Sequence, residues 1–216
     1  MIKSLFLTII CGVFCLPVVS FAQDDPSAGK LLDRLSQKYR SFASYEANIT
    51  QRLSNTTEGL NESMAGSLTV KGNQYLLSFG PQEVANDGMK VYVYLKELDE
   101  VTIDYYYEEN NNFSIASIAY FDKDHYTYRG VGNTQVNGVS CALIDLVPKE
   151  QHAQFFRIQM AISDDALLQQ VQMWDRSGTS YTYTFSNIKT NLQISDKLFQ
   201  FNEKTHPGAT ITDLTE

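Results

Sequence analysis

Between residues 66 and 103 apolar and polar positions alternate with a period of two. Leu68 and Val70 alternate with Ser67 and Thr69, residues 75–79 are mostly apolar, and Val91, Val93 and Leu95 alternate with Tyr92 and Tyr94. A pleated strand sends successive side chains to opposite faces, so this rhythm predicts about three or four consecutive antiparallel strands. Gly72-Asn73 and Asp87-Gly88 supply the positive φ that tight hairpins require.

A helical period marks residues 24–43. Asp24 or Asp25 can cap this segment, Pro26 suits its first turn, and Leu31, Leu32, Leu35, Tyr39 and Phe42 form one apolar stripe. The prediction is one long helix lying on a face of the sheet. Tyr45, Ala47, Ile49, Gln51 and Leu53 then alternate with polar residues as a first strand, and residues 54–63 read as a polar loop. After the organising sheet, which runs on through Val101, Ile103 and Tyr105, residues 108–112 (EENNN) form another loop. Ser114 can cap a short helix with Ile115, Ile118, Ala119 and Phe121 on one side and Phe113 as a staple-like neighbour. A helix of one to two turns is not stable alone. Residues 113–121 are therefore predicted to rest as a lid on the concave side of the sheet.

Strand signals resume at Tyr126-Thr127-Tyr128. Gly132-Asn133 and Asn137-Gly138 mark turns, residues 139–147 form a strand closed by Pro148, and Phe156, Ile158, Met160 and Ile162 alternate after a polar loop over 149–154. Asp164-Asp165 turns the chain into 167–174, and Arg176-Ser177-Gly178 leads to Tyr181, Tyr183 and Phe185. Two more units, 198–201 and 211–214, flank His206-Pro207-Gly208. The total is about ten or eleven strands with no fixed repeat and no linker.

Composition narrows the picture. A chain of 216 residues with 43% hydrophobic content suits one domain with a sizeable core, and 13 Tyr with 12 Phe favour β-structure. A net charge of −8 with no Lys/Arg cluster argues against nucleic-acid phosphates or an anionic membrane as partners. Lys3, the apolar run 5–19 and Ser20-Phe21-Ala22 read as a cleaved signal peptide over 1–22, leaving a single domain over 23–216. The run is too short and wrongly flanked for an anchor, and neither Cys11 nor Cys15 follows the small residue expected before a lipidated cysteine. Cleavage leaves Cys141 alone, without a disulfide partner, as a small core residue.

Catalytic signatures are missing. There is no G-x-S-x-G elbow, H-E-x-x-H, Cys/His metal spacing or P-loop. Gly130-Val131-Gly132 lacks the third glycine and the helix of a dinucleotide fingerprint, and Asp122-x-Asp124 beside His125 lacks the glycine of a calcium loop. His125, His152 and His206 lie in loop-like settings, and Glu97, Asp99, Glu100, Glu108 and Glu109 read as solvated strand ends. The expectation is a non-enzyme without cofactor or metal; a hydrolase with an acid pair assembled only by the fold stays open.

Several strands carry apolar residues on both faces, most plainly 75–79 and 89–95. Either a sandwich core is dressed with surface tyrosines, or a curved sheet and its helices enclose a non-polar cavity. The order and spacing of certain residues bear on this choice. They are Tyr39, Phe42, Ala47 and Gln51; Gly66-Ser67-Leu68 and Val70-Lys71 ahead of Tyr75; Asp87-Gly88 with Val91, Tyr92 and Tyr94; Leu146-x-Pro148-Lys149; Trp174-Asp175-x-x-Gly178; and Phe199-x-Phe201 ahead of Pro207-Gly208. With them the mature chain resembles the periplasmic outer-membrane lipoprotein carrier family (LolA-type). The resemblance implies a mainly β (α+β) fold: an unclosed antiparallel β-barrel with an N-terminal helix and a short lid helix over its concave face. It implies a monomeric periplasmic carrier that takes lipoprotein acyl chains from an inner-membrane release complex and passes them to the outer membrane, with an outer-membrane acceptor as a further partner. Family members often carry an arginine after the lysine matched by Lys71, where it helps latch the lid; here Gly72 stands at that position.

The candidate lipid-binding residues are Leu68, Val70, Leu77, Phe79, Val91, Val93, Phe113, Ile115, Ile118, Ile144, Leu146, Phe156, Ile158, Met160, Tyr183 and Phe185. Ordinary core is the competing assignment for each. An envelope stress-sensor or another lipid-binding module on the same scaffold is the alternative function.

Overall fold

The computed structural model describes residues 24–106, 118 and 122–215. One helix, α1 (Pro26–Arg40), precedes β1 (Tyr45–Asn55), β2 (Leu60–Lys71), β3 (Gln74–Phe79), β4 (Gln82–Asn86), β5 (Lys90–Leu95) and β6 (Glu100–Tyr105). Then follow β7 (Tyr126–Val136), β8 (Val139–Pro148), β9 (Phe155–Ser163), β10 (Leu168–Asp175), β11 (Ser180–Thr190) and β12 (Thr210–Asp213). All belong to a 12-stranded sheet in the order β12-β6-β5-β4-β3-β2-β1-β11-β10-β9-β8-β7. It is two meanders, β1–β6 and β7–β11, joined along the antiparallel β1–β11 pair. The end strands β7 and β12 do not pair with each other, so the sheet is unclosed.

α1 begins where Asp25 Oδ1 accepts the N–H groups of Ser27 (2.8 Å) and Ala28 (3.3 Å), with Pro26 needing no partner at the first position. The same capping residues clamp the β7 edge. Asp25 N–H donates to Tyr128 O (3.1 Å), Asp24 Oδ1 accepts Tyr128 N–H (3.2 Å), and Asp25 Oδ2 accepts Gly130 N–H (3.1 Å). The apolar stripe drives Leu32, Leu35 and Tyr39 onto the sheet. Tyr39, Phe42 and Tyr45 pack edge to face at the helix exit, and the helix ends at Arg40, short of residue 43, because Ser41 and Phe42 turn the chain into β1.

One buried cluster joins α1 to Leu68 and Val70 of β2, Ile49 of β1, Phe185 of β11 and Ile144 and Leu146 of β8. From β2 to β8 lie six strands, about 24 Å across if flat, whereas a helix with its side chains is about 10–12 Å wide. The sheet therefore curls around α1. We call the face against α1 inner and the other outer.

Several details differ from the sequence expectation. Residues 54–63 are not a loop; β1 runs to Asn55, paired with β11 as far as Ser54, and β2 starts at Leu60 after a turn over 56–59, because a solvated strand end needs no apolar alternation. No described strand pairs with the β3-side edge of residues 60–65. Gly132-Asn133 is not a turn but follows a bulge at Val131, where Gly132 takes φ 127 within β7. Asn137-Gly138 does form the predicted hairpin, with φ 49 and 79. Residues 198–201 are no strand: Asp196–Phe199 is a single 3-10 turn whose Phe199 is buried. Finally, β12 joins β6 in parallel, the one exception to antiparallel pairing among the described strands.

Candidate functional site

Pairing places Tyr75, Leu77 and Phe79 of β3 opposite Asn86, Val84 and Gln82 of β4, and Asn86 and Val84 opposite Val91 and Val93 of β5. Tyr75, Leu77 and Phe79 pack against the inner core, so these rows share the inner face. Tyr75, Leu77, Phe79, Val84, Val91 and Val93 are all only half-buried. The apolar lining that is sealed beneath α1 thus continues across β3 to β5 without being sealed. Such a strip can hold a hydrocarbon chain by the hydrophobic effect alone, with no reacting group.

Where sealed and half-open regions meet, Gly66 lies between Ile49 and Phe79 across the sheet. A Cβ there would stand 2.3 Å from Ser78 O and 2.4 Å from Phe79 Cδ1, so the missing side chain is what lets the Phe79 ring lie against the strand. Phe79 packs against Tyr183 at 6.1 Å between centroids. Gln51 Nε2 donates to the Tyr183 hydroxyl at 2.8 Å, and burial pushes the Tyr183 phenol above its ordinary pKa.

The candidate residues fall into four groups. Leu68, Val70, Ile118, Ile144, Leu146, Ile158, Met160 and Phe185 are buried in the inner cluster, and Leu77, Phe79 and Tyr183 are half-buried against it. Val91 and Val93 lie half-buried on β5, beyond that cluster on the same face. Phe156 is set apart: β9 bulges there, Arg157 pairing with Trp174 and Phe155 with Asp175, and Phe156 is 46% exposed while Phe155 takes the inner position. Phe113 and Ile115, like the rest of the expected lid except Ile118, lie outside the described residues. Sequence reasoning passed over Tyr75, Val84 and Asn86. Tyr75 could have been found from its alternation with Leu77 and Phe79, whereas Val84 is hidden among polar neighbours in a five-residue strand.

The outer face is furnished differently. Lys71 donates to Ile194 O (2.8 Å) and Asp196 Oδ1 (2.6 Å), tying the C-terminal segment across β2, and Gly72 occupies the β2–β3 turn at φ 59. That segment leaves a cleft of about 240 Å³ lined in part by Leu76, Tyr92, Tyr94 and Phe201. His206 is no solvated loop histidine: its ring packs on Tyr94 at 4.4 Å and on Phe201 at 5.0 Å. Burial and the Asp87 carboxylate push Tyr92 up to about 12. Further along, the buried Asp145 accepts from Arg157 (2.9 Å) and Gln159 (2.7 Å), and the Arg157 guanidinium lies 4.6 Å over the Trp174 ring. These arrangements tie strands together.

Near the helix, a polar cleft of about 310 Å³ separates α1 from residues 122–124. Lys123 closes one side by donating to both Asp33 oxygens at 2.6 Å, a bond that raises the lysine pKa. Asp122 spends its carboxylate capping the 3-10 turn Lys123–His125 through the Asp124 N–H (2.9 Å). Among the described residues no group of three His, Cys, Asp or Glu is arranged to hold a metal.

Residues 40–202 match the family described as "Outer membrane lipoprotein carrier protein LolA". An "Outer-membrane lipoprotein carrier protein" of Hahella chejuensis is 24% identical over 178 residues, covering 79% of this chain and 83% of that protein. Among solved structures, an uncharacterized conserved protein from Thermus thermophilus superposes with a TM-score of 0.57 at 13% identity, covering 87% of this chain and 99% of that one. The Mycobacterium tuberculosis lipoprotein LppX gives 0.51 at 13% identity, covering 80% and 99%. The two structures share the fold alone. With the match running from the end of α1 to beyond the last antiparallel strand, the chain belongs to the LolA family of outer membrane lipoprotein carrier proteins.

Proposed function

We propose that this protein shields the acyl chains of lipoproteins in its inner face and carries them across the periplasm. In this reading a signal peptide over 1–22 directs export, an inner-membrane release complex loads the cargo, and the outer membrane, through an acceptor, receives it. The carrier works as a monomer and performs no catalysis. One observation supports the reading above all: in a LolA-family chain, the apolar face of β3–β5 is lined by Leu77, Phe79, Val84, Val91 and Val93, all half-buried.

The energetics suit a carrier. Covering about ten methylenes at about 0.8 kcal/mol each gives about 8 kcal/mol, near micromolar affinity before ordering costs. That hides a chain from water yet lets a membrane reclaim it. Ile118, buried in the inner cluster, is the residue that the incoming chain displaces.

The test is displacement of a fluorescent fatty acid from the purified protein. Val93→Asp and Ile118→Asp abolish binding while far-ultraviolet circular dichroism keeps its β signature. Unchanged affinity in both variants overturns the proposal. Mass spectrometry of material co-purified from the native envelope then identifies the cargo. A stoichiometric protein complex without lipid favours the stress-sensor alternative.

A further inference from the structure

Asn86 ends β4 on the inner face and is 0% exposed. Its side-chain oxygen accepts the Gly88 N–H at 2.7 Å. That bond fixes which way the amide is turned, because the exchanged rotamer would set an NH₂ group against an N–H donor. The Nδ2 atom therefore faces away from the turn, and it has no hydrogen-bond partner among the described residues. Buried donors are almost always paired, so a donor left over in an apolar strip calls for an acceptor brought from outside.

The surroundings say what kind of acceptor. Across the strands Asn86 is flanked by Tyr75 and Val91, and the next row along β4 is Leu77, Val84 and Val93. In the Asn86 row the carboxylate is Asp104, paired with Val91 one strand further out. An apolar wall with one amide donor fits a hydrocarbon chain carrying a neutral carbonyl, and the nearby carboxylate disfavours a second anion.

We infer that Asn86 donates to the carbonyl oxygen of an ester- or amide-linked acyl chain and so fixes how far that chain enters the β3–β5 strip. This rests on the acyl-carrier reading and adds the position of the head of the chain. The hydrocarbon tail is held by area alone and could slide; a single hydrogen bond at its carbonyl sets the register.

The experiment compares methyl laurate, N-methyl lauramide and an alkane of equal heavy-atom count, each displacing a fluorescent acyl probe from the wild-type protein and from Asn86→Leu. The expected result is a fall of about five- to tenfold in the ester-to-alkane or amide-to-alkane affinity ratio in the variant, with alkane affinity retained. The arm that falls further names the linkage. Because the leucine also loses the Gly88 bond, the wild-type protein is examined in parallel with carbonyl-labelled methyl laurate and N-methyl lauramide by infrared spectroscopy. Each carbonyl that Asn86 holds has a stretch at lower frequency than in alkane solvent. Unchanged ratios, or stretches equal to those in alkane for both probes, overturn the assignment to Asn86 alone. Failure of all three compounds to displace the probe overturns the acyl-carrier reading and this inference with it.

Discussion

The two halves of the inner face are built from the same alternation of apolar and polar residues and end in different states. On β8 and β9, Ile144, Leu146, Ile158 and Met160 are at most 2% exposed, sharing one buried cluster with Leu32, Leu35 and Tyr39 of α1. On β3 to β5, Leu77, Val84, Val91 and Val93 have the same chemistry and are only half-buried. Strand periodicity determines which side chains share a face. Whether that face becomes core or stays half-open depends on where α1 comes down. The Asp24 and Asp25 bonds to Tyr128 and Gly130 anchor its N-terminus over the β7 edge.

The comparison breaks most visibly through cavities. Leu146→Ala removes methylenes from a fully enclosed site and is expected to cost about 2–5 kcal/mol in urea unfolding. Val93→Ala on the half-open side is expected to cost less than about 1 kcal/mol while weakening acyl-probe binding several-fold. Equal losses of stability at the two sites would erase the distinction. Next in size is Gly66→Ala at the boundary, where the added methyl meets Ser78 O and Phe79 Cδ1 well inside contact distance. A loss of about 1–3 kcal/mol is expected, together with weaker probe binding as Phe79 is pushed off the strand.

The smallest effect concerns the anchor of the helix. Hydrogen bonds from Gly130, Ser27 and Ala28 N–H groups hold the Asp25 carboxyl below its ordinary value of 3.8. A carboxylate lowered in the folded state stabilises fully above its unfolded pKa and loses that contribution as pH falls through the folded one. The difference in urea midpoint between the wild-type protein and Asp25→Ala should therefore be constant near neutrality and shrink below about pH 3.8. A difference independent of pH down to pH 2 would remove the carboxylate from the anchor.

Much of this was legible in the sequence, for identifiable reasons. Pro26 behind Asp25, the stripe through Leu32, Leu35 and Tyr39, and the Asn137-Gly138 and Arg176-Ser177-Gly178 turns are local signals, and the elements formed where those signals stand. The start of β2 was missed because residues 61–65 are exposed and lack apolar alternation, and the parallel place of β12 was not foreseeable because that strand is held through β6 alone. For the site, alternation put Leu77, Phe79, Val91 and Val93 on one face. It could not foresee the β9 bulge that turns Phe156 outward, nor the orphan donor of Asn86, which exists only through a bond to Gly88. His206 shows the same limit: its packing on Tyr94 joins residues far apart in the chain.

The seam between the meanders has a consequence for how the chain acquires its shape. Hairpins within β1–β6 and within β7–β11 close over short turns, which are fast events, whereas the seam must bring Tyr45 beside Thr190. During synthesis the first strand therefore waits with one flank bare until nearly the whole polypeptide has emerged. Over that interval β1 is a template for stray strands, and the nascent chain is most in need of an escort that keeps it from aggregating.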